Sequence, residues 1–266
     1  MTESWLFPSH LSGDQLLQNR GLFWGENPFT CFLLKDGQPR FFEDHWQRIS
    51  SSASYCFEGK FKADQFRQFI LSKLNAVAGL NGLYYCRITF FETFEGELAC
   101  HFLVKEFEQA ETARLRVELS QKIKYGDYPN FVKLGRHSEF LHECKARECD
   151  DIIYLDPSGL LLESGRANIF WKSGKTVFTP SLIPGVLEGV TRKHLIKCLI
   201  QNKIEVVEGS FELSALQAAD EVWLTNSLKG LHQVGQFGEH VYLEQDSIFN
   251  NVQRYFEDYC EGLLER

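Results

Sequence analysis

Long apolar runs are missing from this chain. Its most hydrophobic stretches, such as "LYYC" and "VWL", fall far short of the ~20 residues that a membrane-spanning helix needs. The opening "MTESWLFPSHLSGDQ" lacks the basic start and extended apolar core of a secretion signal, so a cytoplasmic protein is expected. No run of Lys and Arg reaches motif density and the formal net charge is −8, which argues against a dedicated nucleic-acid binder. The eight cysteines contain no C-x-x-C pair; without a secretion signal they read as reduced, mostly buried thiols.

Several catalytic signatures are absent too. There is no H-E-x-x-H and no G-x-S-x-G elbow. Cys144 with Cys149, and His194 with Cys198, are isolated pairs with too few ligands for zinc, and no metal site is expected. "SGKT" (173–176) has Ile169 where a phosphate-binding loop needs glycine, and it joins two strands rather than a strand and a helix. It reads as a hairpin turn.

What is present describes a folded chain. With 266 residues, 44% hydrophobic and 24% charged, there is enough interior for one large domain or two modest ones. "TCFLLKDGQPRFF" (30–42) is two apolar runs around Asp36-Gly37, a hairpin signal. "EDHWQRISSSASYCF" sets Trp46, Ile49 and Ala53 at helical spacing, with His45 and Arg48 on another face. "ADQFRQFILSKLNAV" (63–77) is a second amphipathic helix with Phe66, Phe69, Ile70, Leu74 and Val77 inward, and "LYYCRITFFE" and "ELACHFLVKEF" are paired strands. These elements make an α+β domain over 1–110, with "EQAETAR" (108–114) as the linker candidate. Residues 111–266 change character: short strands ("LRVELS", "DIIYLD", "LLLESG", "NIFWK", "TVFTP", "VWLTN") predict a barrel-like core. Two helices interrupt it, one with Leu195, Ile196, Leu199 and Ile200 inward and a terminal one capped by Ser247.

Four stretches carry chemistry. "ESGRANIFW" (163–171) sets Glu163, Arg166 and Asn168 beside an apolar strand, where polar groups need a reason. "LEGVTRKH" (187–194) opens a helix at Gly189, Val190 and Thr191, whose unpaired N–H groups favour a phosphate. "TNSLKG" (225–230) offers Ser227 at a strand end, and "NFVKLGRH" (130–137) holds Lys133 in a partly apolar stretch. Each alone has an ordinary reading: a loop, a helix start, a turn, a surface lysine. Together, and with the upstream Arg48, they match one cofactor. Pyridoxal phosphate needs an amine for its aldehyde carbon, an acid for its ring nitrogen and a phosphate cradle.

The pattern Glu163, Asn168-Ile169-Phe170, Thr179-Pro180 and Gly189-Val190-Thr191-Arg192 resembles the class IV aminotransferases, the fold-type-IV pyridoxal phosphate enzymes. Similarity runs from "NRGLFWGENPFT" to "ADEVWLTNSLKG", nearly the whole chain. The resemblance implies a small N-terminal domain and a larger C-terminal domain with a barrel-like sheet, the cofactor between them, and a homodimer. By position, Lys133 corresponds to the cofactor-bonding catalytic lysine, Glu163 to the partner of the ring nitrogen, and Arg48, Val190, Thr191 and Ser227 to the phosphate site.

Within the family, "ANIFW" and "GENPFT" are most similar to the aminodeoxychorismate lyases, which make 4-aminobenzoate and pyruvate for folate synthesis. The departures fall in the substrate region. Leu134, Gly135, Arg136 and His137 follow the lysine where the family has an asparagine and often a tyrosine. Thr30 stands for a usual acid, as in some lyases. Arg166 replaces a small residue, and Phe90 or Phe91 replaces an arginine. Thr30 and Arg166 are therefore the expected substrate contacts, Arg166 as a guanidinium fork for a carboxylate or else paired with an acid such as Glu188. The rival readings are an amino-acid transaminase of the same family and a pyridoxal phosphate-binding protein without turnover.

Overall fold

The computed structural model of the chain describes residues 1–109, 113–135, 138–243 and 247–264. It divides into two compact units: Met1–Gln109 with Phe131–Arg136, and Ala110–Asn130 with His137–Arg266. Residues 110–112 of the expected linker, and Arg136 and His137 beyond Lys133, lie outside the described residues.

The first unit contains β1 (Thr2–Phe7), α1 (Gly13–Leu17), α2 (Arg20–Trp24), β2 (Phe29–Lys35), β3 (Gln38–Pro39), α3 (Phe42–Cys56), α4 (Ala63–Ala76), β4 (Leu83–Glu92) and β5 (Leu98–Glu106). Its strands form an antiparallel sheet in the order β1-β5-β4-β2-β3. Asp36 and Gly37 turn β2 into β3 with φ of 49° and 76°, the double positive φ of a tight hairpin. A side chain at Gly37 would meet the Ala78 carbonyl oxygen at 2.0 Å, so the turn also needs glycine for space.

Period-two alternation in β4 sends Tyr84, Cys86, Ile88 and Phe90 to one face and Tyr85, Arg87 and Thr89 to the other. The first face forms a core with Phe32, Phe102, Trp46, Ile49, Ala53, Phe66, Ile70 and Leu74, the inward stripes of α3 and α4. A fully buried Phe or Ile among them stabilises the fold by about 1.5–3 kcal/mol relative to exposure.

The second unit contains β6 (Leu115–Ile123), α5 (Ser138–Arg147), β7 (Asp151–Leu155), β8 (Leu161–Ser164), β9 (Asn168–Ser173), β10 (Thr176–Pro180), α6 (Val190–Gln201), β11 (Glu205–Gly209), α7 (Ser214–Gln217), β12 (Glu221–Asn226), β13 (Gly230–Phe237), β14 (His240–Val241) and α8 (Phe249–Leu264). One mixed sheet runs β11-β10-β9-β12-β13-β6-β7-β8, with β14 beside β13. Its two ends approach each other: Leu160 bridges Glu212, and Leu161 N–H donates to the Phe211 carbonyl, just past β11. This curl is the barrel-like core, filled by Ile153, Leu161, Ile169, Trp171, Val222, Leu224 and Val234. Ser173-Gly174-Lys175 turns β9 into β10 with Gly174 at φ 60°, a hairpin.

Ser247 accepts from Phe249 N–H at 3.3 Å at the start of α8 and donates to the buried Glu221 at 2.8 Å. Glu221 in turn accepts from Ile248 N–H at 2.8 Å. The inward face of α6 departs from the apolar pattern. His194, Leu195, Cys198 and Leu199 are buried, whereas Ile200 is 60% exposed. The His194 ring bonds Tyr259 of α8 at 3.0 Å, which turns that side of α6 inward and Ile200 out.

Candidate functional site

In the first unit, the segment carrying Lys133 lies along the start of β2. Phe29 N–H donates to the Lys133 carbonyl at 3.0 Å, Pro28 bridges Leu134, and Gly135 N–H donates to Asn27 Oδ1 at 2.9 Å. From α3, Ser52 Oγ donates to the Phe131 carbonyl at 2.6 Å. The Lys133 side chain extends over the Phe29 ring, with Nζ 4.7 Å from its centroid. Arg87 of β4 covers the same ring at 4.0 Å and donates from Nε to Thr89 Oγ1 at 3.0 Å. Two cations on one aromatic ring make this an anion-attracting corner. Beside Arg87, Tyr85 pairs with Cys31 at 3.3 Å, and burial pushes its phenol well up, so it stays a neutral donor. Arg48 is 7% exposed and donates from Nη2 to Thr30 Oγ1 at 3.1 Å. Thr30 is fully buried.

In the second unit, Glu163 lies near the end of β8 with both oxygens engaged. Oε2 accepts from Asn168 Nδ2 at 3.1 Å and from Leu187 N–H at 2.8 Å; Oε1 accepts from Lys124 Nζ at 2.6 Å. Asn168 also donates to the Leu187 carbonyl at 2.9 Å, tying the first residue of β9 to the approach of α6. This answers why polar groups sit beside an apolar strand: the asparagine fixes the carboxylate and the loop before the helix at once.

Two residues past Leu187, Gly189 precedes α6 with no side-chain cap and no acidic residue in the first turn. The helix start therefore keeps backbone donors for an anion. A side chain at Gly189 would meet Asn168 Oδ1 at 1.9 Å, so only glycine allows this approach. Thr191 Oγ1 lies 3.3 Å from Ser227 Oγ, just beyond β12, and the neighbouring Thr225 hydroxyl is buried with no partner among the described residues. Val190 is buried in the same first turn. Val190, Thr191 and Ser227 thus come together, and Glu163 joins that region through Asn168.

Other signature residues hold the frame. Arg192 donates to the Pro180 carbonyl at 2.8 Å and to Glu208 at 2.5 Å, and Thr179 donates to the Ile169 carbonyl at 2.7 Å. Arg166 donates to the Asp150 carbonyl at 2.9 Å, lies 3.9 Å from Asp151 and covers the Phe140 ring at 4.9 Å. Its acidic neighbour is thus Asp151 rather than Glu188. Burial drives Asp151 up to about 6, against the lowering effects of the Ile152 N–H, Arg166 and the Gly165 N–H.

Sequence reasoning missed Lys124 and Arg87. No spacing rule marks Lys124, whose contact with Glu163 joins the ends of separate strands. Arg87 was readable as the one basic residue in "LYYCRITFFE".

Within the second unit the donor set fits pyridoxal phosphate: an anion-binding helix start with two hydroxyls and an anchored carboxylate. A family model described as amino-transferase class IV matches residues 28–237. A stretch of 76 residues is 42% identical to an aminodeoxychorismate lyase from Bacillus subtilis, covering 29% of this chain and 26% of that one. Over 134 residues the chain is 34% identical to a probable branched-chain-amino-acid aminotransferase from Thermotoga maritima, covering 49% of each. The match thus spans about a quarter and about half the length of these relatives. In fold, the chain is similar to an aminotransferase from Brucella abortus bound to the co-factor PLP. The TM-score is 0.83 at 17% identity, covering 98% of this chain and 99% of that one. Signature, anchored carboxylate, bare helix start and a family match over most of the length agree: the chain belongs to the class IV amino-transferase family.

Proposed function

We propose that this protein is a pyridoxal phosphate-dependent enzyme of the cytoplasm that works as a homodimer. We propose further that its reaction is that of an aminodeoxychorismate lyase, yielding 4-aminobenzoate and pyruvate for folate synthesis. The observation that carries the cofactor reading is the anchored Glu163 carboxylate in one unit with an uncapped helix start and the Thr191 and Ser227 hydroxyls. Bound pyridoxal phosphate supplies an electron sink for the carbon beside the substrate amine.

The chain's own residues do the rest. Glu163 keeps negative charge at the ring nitrogen. Val190, Thr191, Ser227 and Arg48 hold the phosphate. Lys133 would be the amine that holds the aldehyde carbon, and its Nζ would be the group that moves the proton from the substrate's adjacent ring carbon. Lys124 is unsuited to moving that proton, because its Nζ is held by the Glu163 carboxylate that would serve the ring nitrogen. Arg87 beside Lys133 is a guanidinium suited to a substrate carboxylate, with Arg166 the second candidate.

The local 42% identity to a lyase favours elimination. The Thermotoga relative supports the rival, an amino-acid transaminase. In elimination the electron pair departs with the enolpyruvyl group and aromatisation drives the step; in transamination a keto acid must take up the amino group. Incubation with aminodeoxychorismate should yield 4-aminobenzoate and pyruvate with no keto acid added. Keto-acid-dependent turnover of branched-chain or D-amino acids, with no 4-aminobenzoate, would transfer the assignment to the transaminase; no turnover of either would leave a binding protein. A sedimentation mass near that of one chain would exclude the homodimer.

A further inference from the structure

Under Arg48 lies a buried polar chain that a phosphate contact alone does not require. Thr30 of β2 is 0% exposed, and His45 and Ser52, on the same face of α3 as Arg48, are each 1% exposed. Thr30 Oγ1 lies 2.7 Å from His45 Nδ1 and accepts from Arg48 Nη2 at 3.1 Å. A guanidinium only donates, so the hydroxyl proton is not used toward Arg48. The arrangement that leaves that proton paired directs it to His45 Nδ1, which then carries its own proton on Nε2. The hydroxyl oxygen is thereby aimed at Arg48. Burial makes each bond of such a chain matter more than it would in water.

We infer that Thr30 and His45 are positioning residues for the Arg48 guanidinium, holding it in the orientation in which it meets the cofactor phosphate. The inference rests on the reading of Arg48 as a phosphate ligand. It moves Thr30 from the substrate to the support of the cofactor. The neighbouring residue strengthens the case: Phe29 N–H holds the Lys133 carbonyl, so two consecutive residues of β2 fix the backbone of Lys133 and the side chain of Arg48. Ser52 contributes from the helix side, contacting both the Arg48 carbonyl at 2.9 Å and the Phe131 carbonyl at 2.6 Å. A planar fork preset in this way loses little freedom when the anion arrives.

Pyridoxal phosphate and pyridoxal, which lacks the phosphate, separate this role from a structural one. Binding of each to the full-length protein is followed by quenching of tryptophan fluorescence. Thr30→Val should raise the Kd for pyridoxal phosphate by about tenfold or more, the effect of a lost bond to a charged group, and leave pyridoxal unchanged. Thr30→Ser should stay within about twofold of the wild type, and the effect of Thr30→Val should vanish in an Arg48→Lys background. Thr30→Ala serves the same comparison should the valine variant not fold. Equal weakening of both ligands, a Thr30→Ser variant as poor as valine, or an undiminished effect beside Arg48→Lys would overturn the inference. A wild-type protein that binds pyridoxal phosphate while Thr30→Val binds it equally well overturns the inference alone. A wild type that binds no pyridoxal phosphate overturns the cofactor reading as well.

Discussion

Glu163 carries three donors on two oxygens, and the role of each follows from its chemistry. The Asn168 amide and Leu187 N–H on Oε2 are neutral and orient the group; the Lys124 ammonium on Oε1 supplies charge. Glu163→Gln keeps a carbonyl oxygen for the orienting donors, removes the negative charge and sets an amide N–H where Lys124 now donates. The expected outcome is a variant that retains the cofactor while turnover falls by at least two orders of magnitude, since charge governs the electron sink and the phosphate contacts govern affinity. Turnover within about threefold of wild type would remove Glu163 from the ring nitrogen.

Asp151 is raised by burial to about 6. Its folded form therefore binds a proton more readily than the unfolded chain. Stability from this group is present at low pH, declines as pH rises from about 4 through about 6, and stays lowered above that. Asp151→Asn keeps an oxygen for the Gly165 and Ile152 N–H groups and cannot ionise. Urea unfolding at pH 4.5 and pH 7 should show the variant gaining on wild type by roughly 2 kcal/mol at the higher pH. A difference that does not change with pH would show that Asp151 is charged in both states.

Among the elements, α6 is the one whose start and face both bear on the site. Its N-terminus is bare because Gly189 has no capping side chain, and the glycine is required because Asn168 occupies the space a Cβ would take. Gly189→Ala forces Asn168 away from Glu163 and Leu187. It should lower the melting temperature by several degrees, the effect of about 1–3 kcal/mol of overpacking, and weaken pyridoxal phosphate binding in parallel. An unchanged melting temperature with full cofactor affinity would mean that the Asn168 bridge is dispensable. The apolar pattern located α6, yet its inward face could not be read from it. His194 is buried through a bond to Tyr259, which is 65 positions away in the chain.

Across the whole molecule, the sequence by itself determined the classes of element and the chemical signature. Alternating apolar residues made the strands, helical spacing made α3 and α4, and Asp36-Gly37 made a turn, because these depend on neighbours only a few residues apart. Family membership was legible for the same reason: Glu163, Asn168, Gly189, Val190 and Thr191 lie within one contiguous stretch of chain. Tertiary structure alone decided which groups meet across long separations. It set Arg87 and Lys133 on one phenylalanine ring, and brought Lys124, just past β6, to Glu163. It buried Thr30 beneath Arg48, and it held Arg166 against Asp150, Asp151 and Phe140. Strand pairing and register set these contacts, and a local pattern shows that a strand exists without naming the strand it lies beside.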